Sequence, residues 1–212
     1  MNGGFLTGKA WASGWLERRA GAYLQTSNNL CCRKHCLDPE AVVVVNIGSV
    51  CERKGQHIYI RGIDLLRKEL PALHPDKKIQ WVMVGARDGL YMESLQEDIA
   101  LMGLQQEVKI FAETPDIYDF YHLADLLVCT SFEESFPRVI LEAMAFGPRI
   151  VSTDVNGIAE MLTNTDEAYL APAGDPFKLA AALKLALVDH FAGNRRMISM
   201  ARARAARHYH HQ

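Results

Sequence analysis

The chain has 212 residues, of which 49% are hydrophobic and 23% charged, and its formal net charge is −2 at pH 7. This composition is typical of a globular protein of one or two domains, and the near-neutral charge gives no electrostatic basis for binding nucleic acid. The apolar runs are too short to span a bilayer, and the first residues lack the continuous apolar stretch of a secretory signal. We therefore expect a cytoplasmic protein, with peripheral attachment to a membrane left open.

Residues 1–40 mix Gly, Ser, Trp, Arg and Cys without sustained periodicity, apart from a short helical pattern at Trp15–Leu24. We predict that this segment is an irregular connector or remnant. Three cysteines and a histidine cluster over residues 31–36, but the second half-site of a structural zinc centre is missing from the sequence. Reduced thiols are therefore the favoured interpretation, with a metal site as the lesser alternative.

From Ala41 onward, short apolar runs alternate with longer helical patterns. The runs predict strands at Val42–Ile47, Ile79–Val84, Val108–Phe111, Leu126–Cys129, Arg149–Ser152 and Tyr169–Ala171. The intervening segments predict helices over about 56–70, 90–103, 115–123, 137–146, 157–163 and 176–191. Strands that alternate with helices form a parallel sheet, and continuous apolar strands are buried on both faces. We predict an α/β protein with a Rossmann-like open parallel sheet, helices on both faces, and one domain over residues 41–190.

The last segment, residues 191–212, is rich in Arg, Ala and His and predicts a helical tail that is exposed to solvent. Its adjacent residues His210 and His211 would bind a metal only with partners that the sequence does not indicate.

Two carboxylates, Glu134 and Glu142, lie on either side of the start of the helix predicted at 137–146. Glu134 is in a polar loop after the fourth predicted strand, whereas Glu142 lies among apolar residues. A charge in apolar surroundings costs free energy unless it is paired. Pro137 suits the first turn of the helix, and Gly147 suits its end. The loop and the helix N-terminus therefore meet beyond the carboxyl end of the strand, where open α/β sheets bind ligands.

A second interpretation of these carboxylates needs no ligand. Glu142 would pair with Arg138, one turn earlier, and Glu134 would be a solvated loop charge. Pairs at this spacing are common and contribute only tenths of a kcal/mol. A Glu142 side chain that points into solvent on the opposite face would favour this interpretation.

The whole string from Ser131 to Gly147, with its two carboxylates separated by seven residues, resembles the donor-sugar motif of glycosyltransferase family 4. Members of that family are retaining enzymes with the two-domain GT-B architecture. Further segments are similar to the same family in the same order: residues 42–56, 81–85, 121–125, 150–160 and 170–176. This agreement over roughly residues 41–190 separates a family match from a chance motif. The resemblance implies one half of a GT-B fold, the half that binds the nucleotide-sugar.

The resemblance also implies a role for individual residues. Lys54 would neutralise the diphosphate, Glu142 would accept from the ribose, and Glu134 would accept from the donor sugar, which makes Lys54 and Glu134 the predicted catalytic residues. Base recognition would use backbone groups near the end of the third strand, around Phe111 to Glu113. The predicted donor-binding set is Gly48, Ser49, Arg53, Lys54, Phe111, Glu134, Ser135, Phe136, Arg138, Val139 and Glu142. An Arg often follows the first-turn glycine in the family, but this chain has Ser49, and Arg53 is a possible substitute.

The implied reaction is retaining transfer of a sugar from a nucleotide-sugar to a sugar, polysaccharide or lipid-linked acceptor, as in carbohydrate biosynthesis. The acceptor would be bound by an N-terminal domain or partner chain that is missing here. The sequence has no Asp-x-Asp motif, so we expect no metal and no cofactor, with the nucleotide-sugar as substrate.

Two rival functions fit parts of the sequence. The first is a catalytically inactive nucleotide-sugar-binding module, which the missing acceptor half favours. The second is a dinucleotide-dependent dehydrogenase on a similar sheet. Against the dehydrogenase, the first strand leads into Gly48-Ser-Val-Cys-Glu-Arg-Lys-Gly55, which is not a Gly-x-Gly-x-x-Gly turn.

Overall fold

The structure, a computed structural model, describes residues 20–21, 27–73, 75–162 and 166–209. Within these ranges, six strands form one parallel sheet in the order β3-β2-β1-β4-β5-β6. The strands are β1 (Val42–Ile47), β2 (Ile79–Ala86), β3 (Val108–Ala112), β4 (Leu126–Cys129), β5 (Arg149–Thr153) and β6 (Tyr169–Ala171). The order reverses between β1 and β4, so the carboxyl ends of these two strands open the crevice in which such sheets bind ligands.

Helices connect successive strands and cover both faces of the sheet. They are α1 (Asn28–Lys34), α2 (Gln56–Arg67), α3 (Leu70–Leu73), α4 (Leu90–Leu101), α5 (Ile117–Leu123), α6 (Arg138–Phe146), α7 (Asn156–Met161), α8 (Pro176–Phe191) and α9 (Arg196–Tyr209). A short 3-10 helix, Glu52–Lys54, lies between β1 and α2. The parallel Rossmann-like architecture that the sequence predicts is therefore confirmed.

The alternation of side chains along each strand divides the core into two layers. Val42 and Val44 face the layer that contains α2, α4 and α8, together with the even-numbered residues of β4. Val43 and Val45 face the opposite side, where they pack with residues of α1 and α5. Because both sets are apolar, the strands read as continuous apolar runs in the sequence.

The segment before β1 is more ordered than the sequence suggested. Residues 28–34 form α1, whose residues Cys31 and Cys32 are buried against the sheet with Leu37. The α1 helix is tied to α5, because Lys34 and His35 both contact the buried Asp119 carboxylate, at 2.7 and 2.8 Å. The prediction of an irregular segment is therefore wrong for residues 28–34, whereas the Trp15–Leu24 pattern lies largely outside the described residues.

The C-terminal helix is also more closely packed than predicted. Ile198 and Ala201 of α9 are buried. Arg202 donates to the Phe146 carbonyl at the end of α6, at 2.8 Å, and Arg204 donates to the Glu160 carbonyl at 3.0 Å. The tail is helical as expected, but one face of it packs on the domain. His210 and His211 lie outside the described residues, and in the described part no helix has the length and apolar character needed to cross a membrane.

Candidate functional site

The loops after β1 and β4 are locked together at the carboxyl end of the sheet. The Thr130 hydroxyl donates to the Lys54 carbonyl at 2.9 Å, and the Phe132 amide donates to the Arg53 carbonyl at 2.9 Å. Gly55 has a φ of 64°, and a Cβ atom there would lie 2.2 Å from the Thr130 carbonyl oxygen. Glycine is required for this left-handed close approach. Backbone contacts therefore hold Lys54 against the β4 loop.

Lys54 and Glu134 form an ion pair where the two loops meet. Glu134 Oε1 accepts from Lys54 Nζ and, at 2.7 Å, from the Ser131 hydroxyl. The Lys54 and Glu134 side chains are only 20% and 8% exposed. The interpretation of Glu134 as a solvated loop charge is therefore wrong. Two groups that are 80 residues apart in the sequence lie in contact.

The loop after β5 supports the backbone around Glu134. The Gly157 amide donates to the Glu134 carbonyl at 2.9 Å, and the Thr153 hydroxyl donates to the Ser131 carbonyl at 2.7 Å. A Cβ atom at Gly157 would lie 1.9 Å from the Ser135 carbonyl oxygen. The loop that carries Glu134 is thus pressed between the loops of β1 and β5.

Glu142 lies in α6 and is 8% exposed. The Tyr121 hydroxyl donates to its Oε2 at 2.5 Å, and Arg138 Nη2 donates to its Oε1 at 3.2 Å. Burial raises the pKa of Glu142, although the hydrogen bond from Tyr121 opposes this. Burial also raises the pKa of Tyr121 well above its ordinary value, so its hydroxyl remains a donor. The i,i+4 pair with Arg138 is present, but Glu142 does not point into solvent.

A slot of about 500 Å³ opens at the carboxyl ends of β1 and β2. It is lined by Ile47, Gly48, Ser49, Val84, Gly85, Glu113, Thr114, Pro115 and Ile117. Ile117 is four residues before Tyr121 on α5, so the two side chains lie on one face of that helix. One turn of α5 therefore links the slot to the hydroxyl that holds Glu142.

The remaining predicted residues are distributed around this edge. Gly48 and Ser49 line the slot, and Arg53 donates to the Glu133 carbonyl at 3.0 Å. The partly buried Phe111 ring packs on Phe120 with ring centroids 4.9 Å apart. The side chain of Arg138 is 72% exposed, Ser135 is exposed, and Phe136 and Val139 are partly buried.

The sequence interpretation does not assign a role to the side chains of three residues at this edge. They are Tyr121, Glu113 and Arg87. Tyr121 lies in a segment that resembles the family, and Arg87 follows the glycine turn of β2 by two residues. The sequence signals their neighbourhood but not their contacts, which join different elements.

The structure gives no support for a metal centre among the described residues. No group of three or more His, Cys, Asp or Glu side chains in those ranges is placed to hold a metal ion. Cys31 and Cys32 are free thiols in the core, and burial raises the pKa of both. His35, which a zinc site would need, is instead engaged with Asp119.

Comparison with known proteins identifies the family of the chain. Residues 33–204 match the model of the family described as glycosyl transferases, group 1. The chain belongs to this family. It is 30% identical over 182 residues to the D-inositol 3-phosphate glycosyltransferase of Salinispora tropica. The aligned segment covers 84% of this chain and 37% of that protein.

Solved structures of other proteins share the fold. HepE of Anabaena, crystallised with UDP, superposes with a TM-score of 0.75 and 26% identity, over 90% of this chain and 51% of that chain. A C-terminal domain of the group 1 glycosyl transferase LpcC from Francisella tularensis gives a TM-score of 0.71 at 19% identity, over 88% of this chain and 95% of that one. The chain therefore spans less than half the length of the Salinispora relative and about half of HepE.

Proposed function

We propose that the chain is the donor-binding half of a retaining glycosyltransferase of the GT-B type. One observation carries this proposal: the Lys54–Glu134 ion pair, the Tyr121–Glu142 hydrogen bond and an apolar slot share the carboxyl-end edge of one parallel sheet. A nucleotide-sugar presents a base, a ribose, a diphosphate and a sugar, and this edge offers a different partner for each.

The slot would take the base, because its walls are apolar and its volume falls within the usual range for ligand pockets. Glu142 would accept from the ribose hydroxyls. It is held by Tyr121, which lies one turn of α5 beyond the slot residue Ile117. Tyr121 and Arg138 already orient its two oxygens. Charge-assisted bonds of this kind are short and directional.

Lys54 would bind the diphosphate together with backbone amides in the first turn of α6, since helix N-termini attract phosphate. Binding would draw Lys54 Nζ from Glu134, whose carboxylate would then accept from hydroxyls of the donor sugar. In the reaction, the charge that develops on the departing diphosphate would be stabilised by Lys54 and these amides. Preorganised groups of this kind need little rearrangement. Here the hydrogen bonds among the segments that follow β1, β4 and β5 hold the backbone that carries Lys54 and Glu134.

Transfer would also require an acceptor-binding half. Positioning of the two reactants can supply roughly 7–11 kcal/mol of barrier reduction. The chain alone is expected to bind donor weakly and to transfer sugar poorly or not at all. The alternative, a binding module without any catalytic role, is separated from this proposal by adding an acceptor domain: turnover should then appear.

Calorimetric titration with UDP, GDP and ADP tests the proposal directly. We expect at least one of them to bind, and Lys54→Ala to weaken that binding more at low salt than at high salt, because a diphosphate charge is involved. Lys68→Ala is the matched control, since Lys68 is at the other end of α2 and pairs with Asp64 at the surface. Repeating the titration with Mg²⁺ tests the expected independence from metal. Failure to bind any of the three nucleotides would overturn the proposal.

A further inference from the structure

The slot at the ends of β1 and β2 has apolar walls and a charged rim. Ile47, Val84 and Ile117 supply apolar surface, and Glu113 is the charged group among the described residues that line it. Glu113 directly follows β3, which places it at the mouth of the slot. A flat base that enters between the apolar walls would present one polar edge to this carboxylate.

Arg87 pairs with the carboxylate of Glu113. Its Nε lies 2.7 Å from Oε1, and its Nη2 donates to Oε2 at 2.8 Å. The guanidinium thus presents two parallel N–H groups to both oxygens at once. Both side chains are exposed, at 66% and 45%. Exposed pairs of this kind contribute little to stability, so a ligand can open this one at small cost.

A base that replaces Arg87 on both oxygens must offer two parallel N–H donors. Guanine does so with N1–H and its 2-amino group. Uracil offers a single N–H between two carbonyls, and adenine has a ring acceptor beside its amino group. We infer that Glu113 selects guanine and that the donor is a guanosine diphosphate sugar, an inference that rests on the proposed function.

Arg87 has a complementary role once it is displaced. Guanine carries two adjacent acceptors, O6 and N7, which are the usual partners of an arginine fork. Glu113 and Arg87 would then each exchange a protein partner for a guanine edge, and both would remain hydrogen-bonded. The hydrogen bond from Arg87 lowers the pKa of Glu113, so the carboxylate that the base would meet is ionised.

The experiment is calorimetric titration of the chain with GDP, IDP, UDP and ADP. IDP keeps N1–H but lacks the 2-amino group. The ratio of its affinity to that of GDP therefore measures the hydrogen bond between the 2-amino group and Glu113. We expect GDP to bind roughly tenfold to hundredfold more tightly than IDP, and both more tightly than ADP. The variant Glu113→Gln, which keeps the shape but loses one acceptor oxygen, should bring GDP and IDP to similar affinities.

Two further variants sharpen the test. Glu107→Gln is the matched control: Glu107 lies at the other end of β3 and pairs with Arg67 at 3.0 Å, so the same charge is removed far from the slot. It should leave all four affinities unchanged. Arg87→Gln should lower GDP and IDP affinity by the same factor, because both bases carry O6 and N7.

The outcomes separate this inference from the proposed function. Equal affinity for GDP, UDP and ADP, or an equal loss of all four in Glu113→Gln, would overturn guanine selection and leave donor binding intact. A preference for UDP, the nucleotide present in the HepE crystals, would do the same. No binding of any nucleotide would overturn both.

Discussion

Charged side chains lie at both ends of the parallel sheet, but their partners differ. At the amino end, the buried Arg149 donates to the backbone carbonyls of Asp189 and Asn194, and the partly buried Asp125 accepts from the Val43 amide at 2.9 Å. The His190 side chain also contacts both, at 3.2 Å from Arg149 and 3.8 Å from Asp125. At the carboxyl end, Glu134 and Glu142 are held by the side chains of Lys54, Ser131, Tyr121 and Arg138.

This difference teaches what each end can do. A backbone partner cannot move away without disturbing its strand or helix, so the amino-end charges fix the ends of β1, β5 and α8 in place. A side-chain partner can rotate, and a ligand hydroxyl or phosphate can take its position. We therefore expect substitutions of amino-end charges to affect stability, and substitutions of carboxyl-end charges to affect binding.

The largest expected effect concerns the backbone at the carboxyl end of the sheet. This backbone must stay in place while the side chains that it carries change partners. Gly55→Ala should destabilise the fold by about 3 kcal/mol, because it adds steric overlap with Thr130 to left-handed strain. Gly103→Ala is the matched control, because Gly103 has a φ of 67° but a Cβ atom there would have no neighbour within 4 Å. This substitution should lower the free energy of unfolding by about 1 kcal/mol. Urea unfolding measures both. Equal losses would show that the close approach of the two loops contributes nothing.

The next effect belongs to the amino end. Arg149→Met should lower the free energy of unfolding by about 2 kcal/mol, because it removes the hydrogen bonds of the buried guanidinium to the carbonyls of Asp189 and Asn194. Nucleotide affinity of the folded fraction should not change. Calorimetry below the unfolding transition checks this, and a weakened affinity would break the proposed division between the two ends.

These two ends also show how far the sequence could be interpreted. The strands were predicted within two residues at each end because both of their faces are apolar. The α1 helix was missed because seven residues with a buried Cys-Cys pair carry no readable period. Resemblance placed Lys54 and Glu134 in one site. It could not show that Tyr121 holds Glu142 or that Arg87 covers Glu113, because pairing between elements depends on packing rather than on spacing.

A substitution at the carboxyl end should lower nucleotide affinity and leave stability unchanged, which is the reverse of the result expected for Arg149→Met. Glu142→Gln keeps the shape of the side chain and its contact with Tyr121, so its stability should remain close to that of the wild type at neutral pH. Its nucleotide affinity should fall by about 1.5 kcal/mol, or roughly tenfold, because a charge-assisted bond to the ribose is lost. Glu160→Gln, at an exposed position on α7, is the control. An unchanged affinity in Glu142→Gln would remove Glu142 from the site.

The smallest effect is a pH dependence that opposes stability to binding at the same residue. Burial raises the pKa of Glu142 in the folded chain above its ordinary value of 4.5, so the folded state favours the protonated carboxyl. Stability from this group is present at acidic pH and is lost as the pH rises through the raised pKa. Nucleotide binding needs the ionised form, so affinity should instead increase over the same interval. Wild type and Glu142→Gln should therefore differ in the slopes of both urea-unfolding free energy and nucleotide affinity against pH, with opposite signs. Parallel slopes in the two proteins would mean that Glu142 does not titrate in this interval, and the carboxylate would then be a fixed structural charge like those at the amino end.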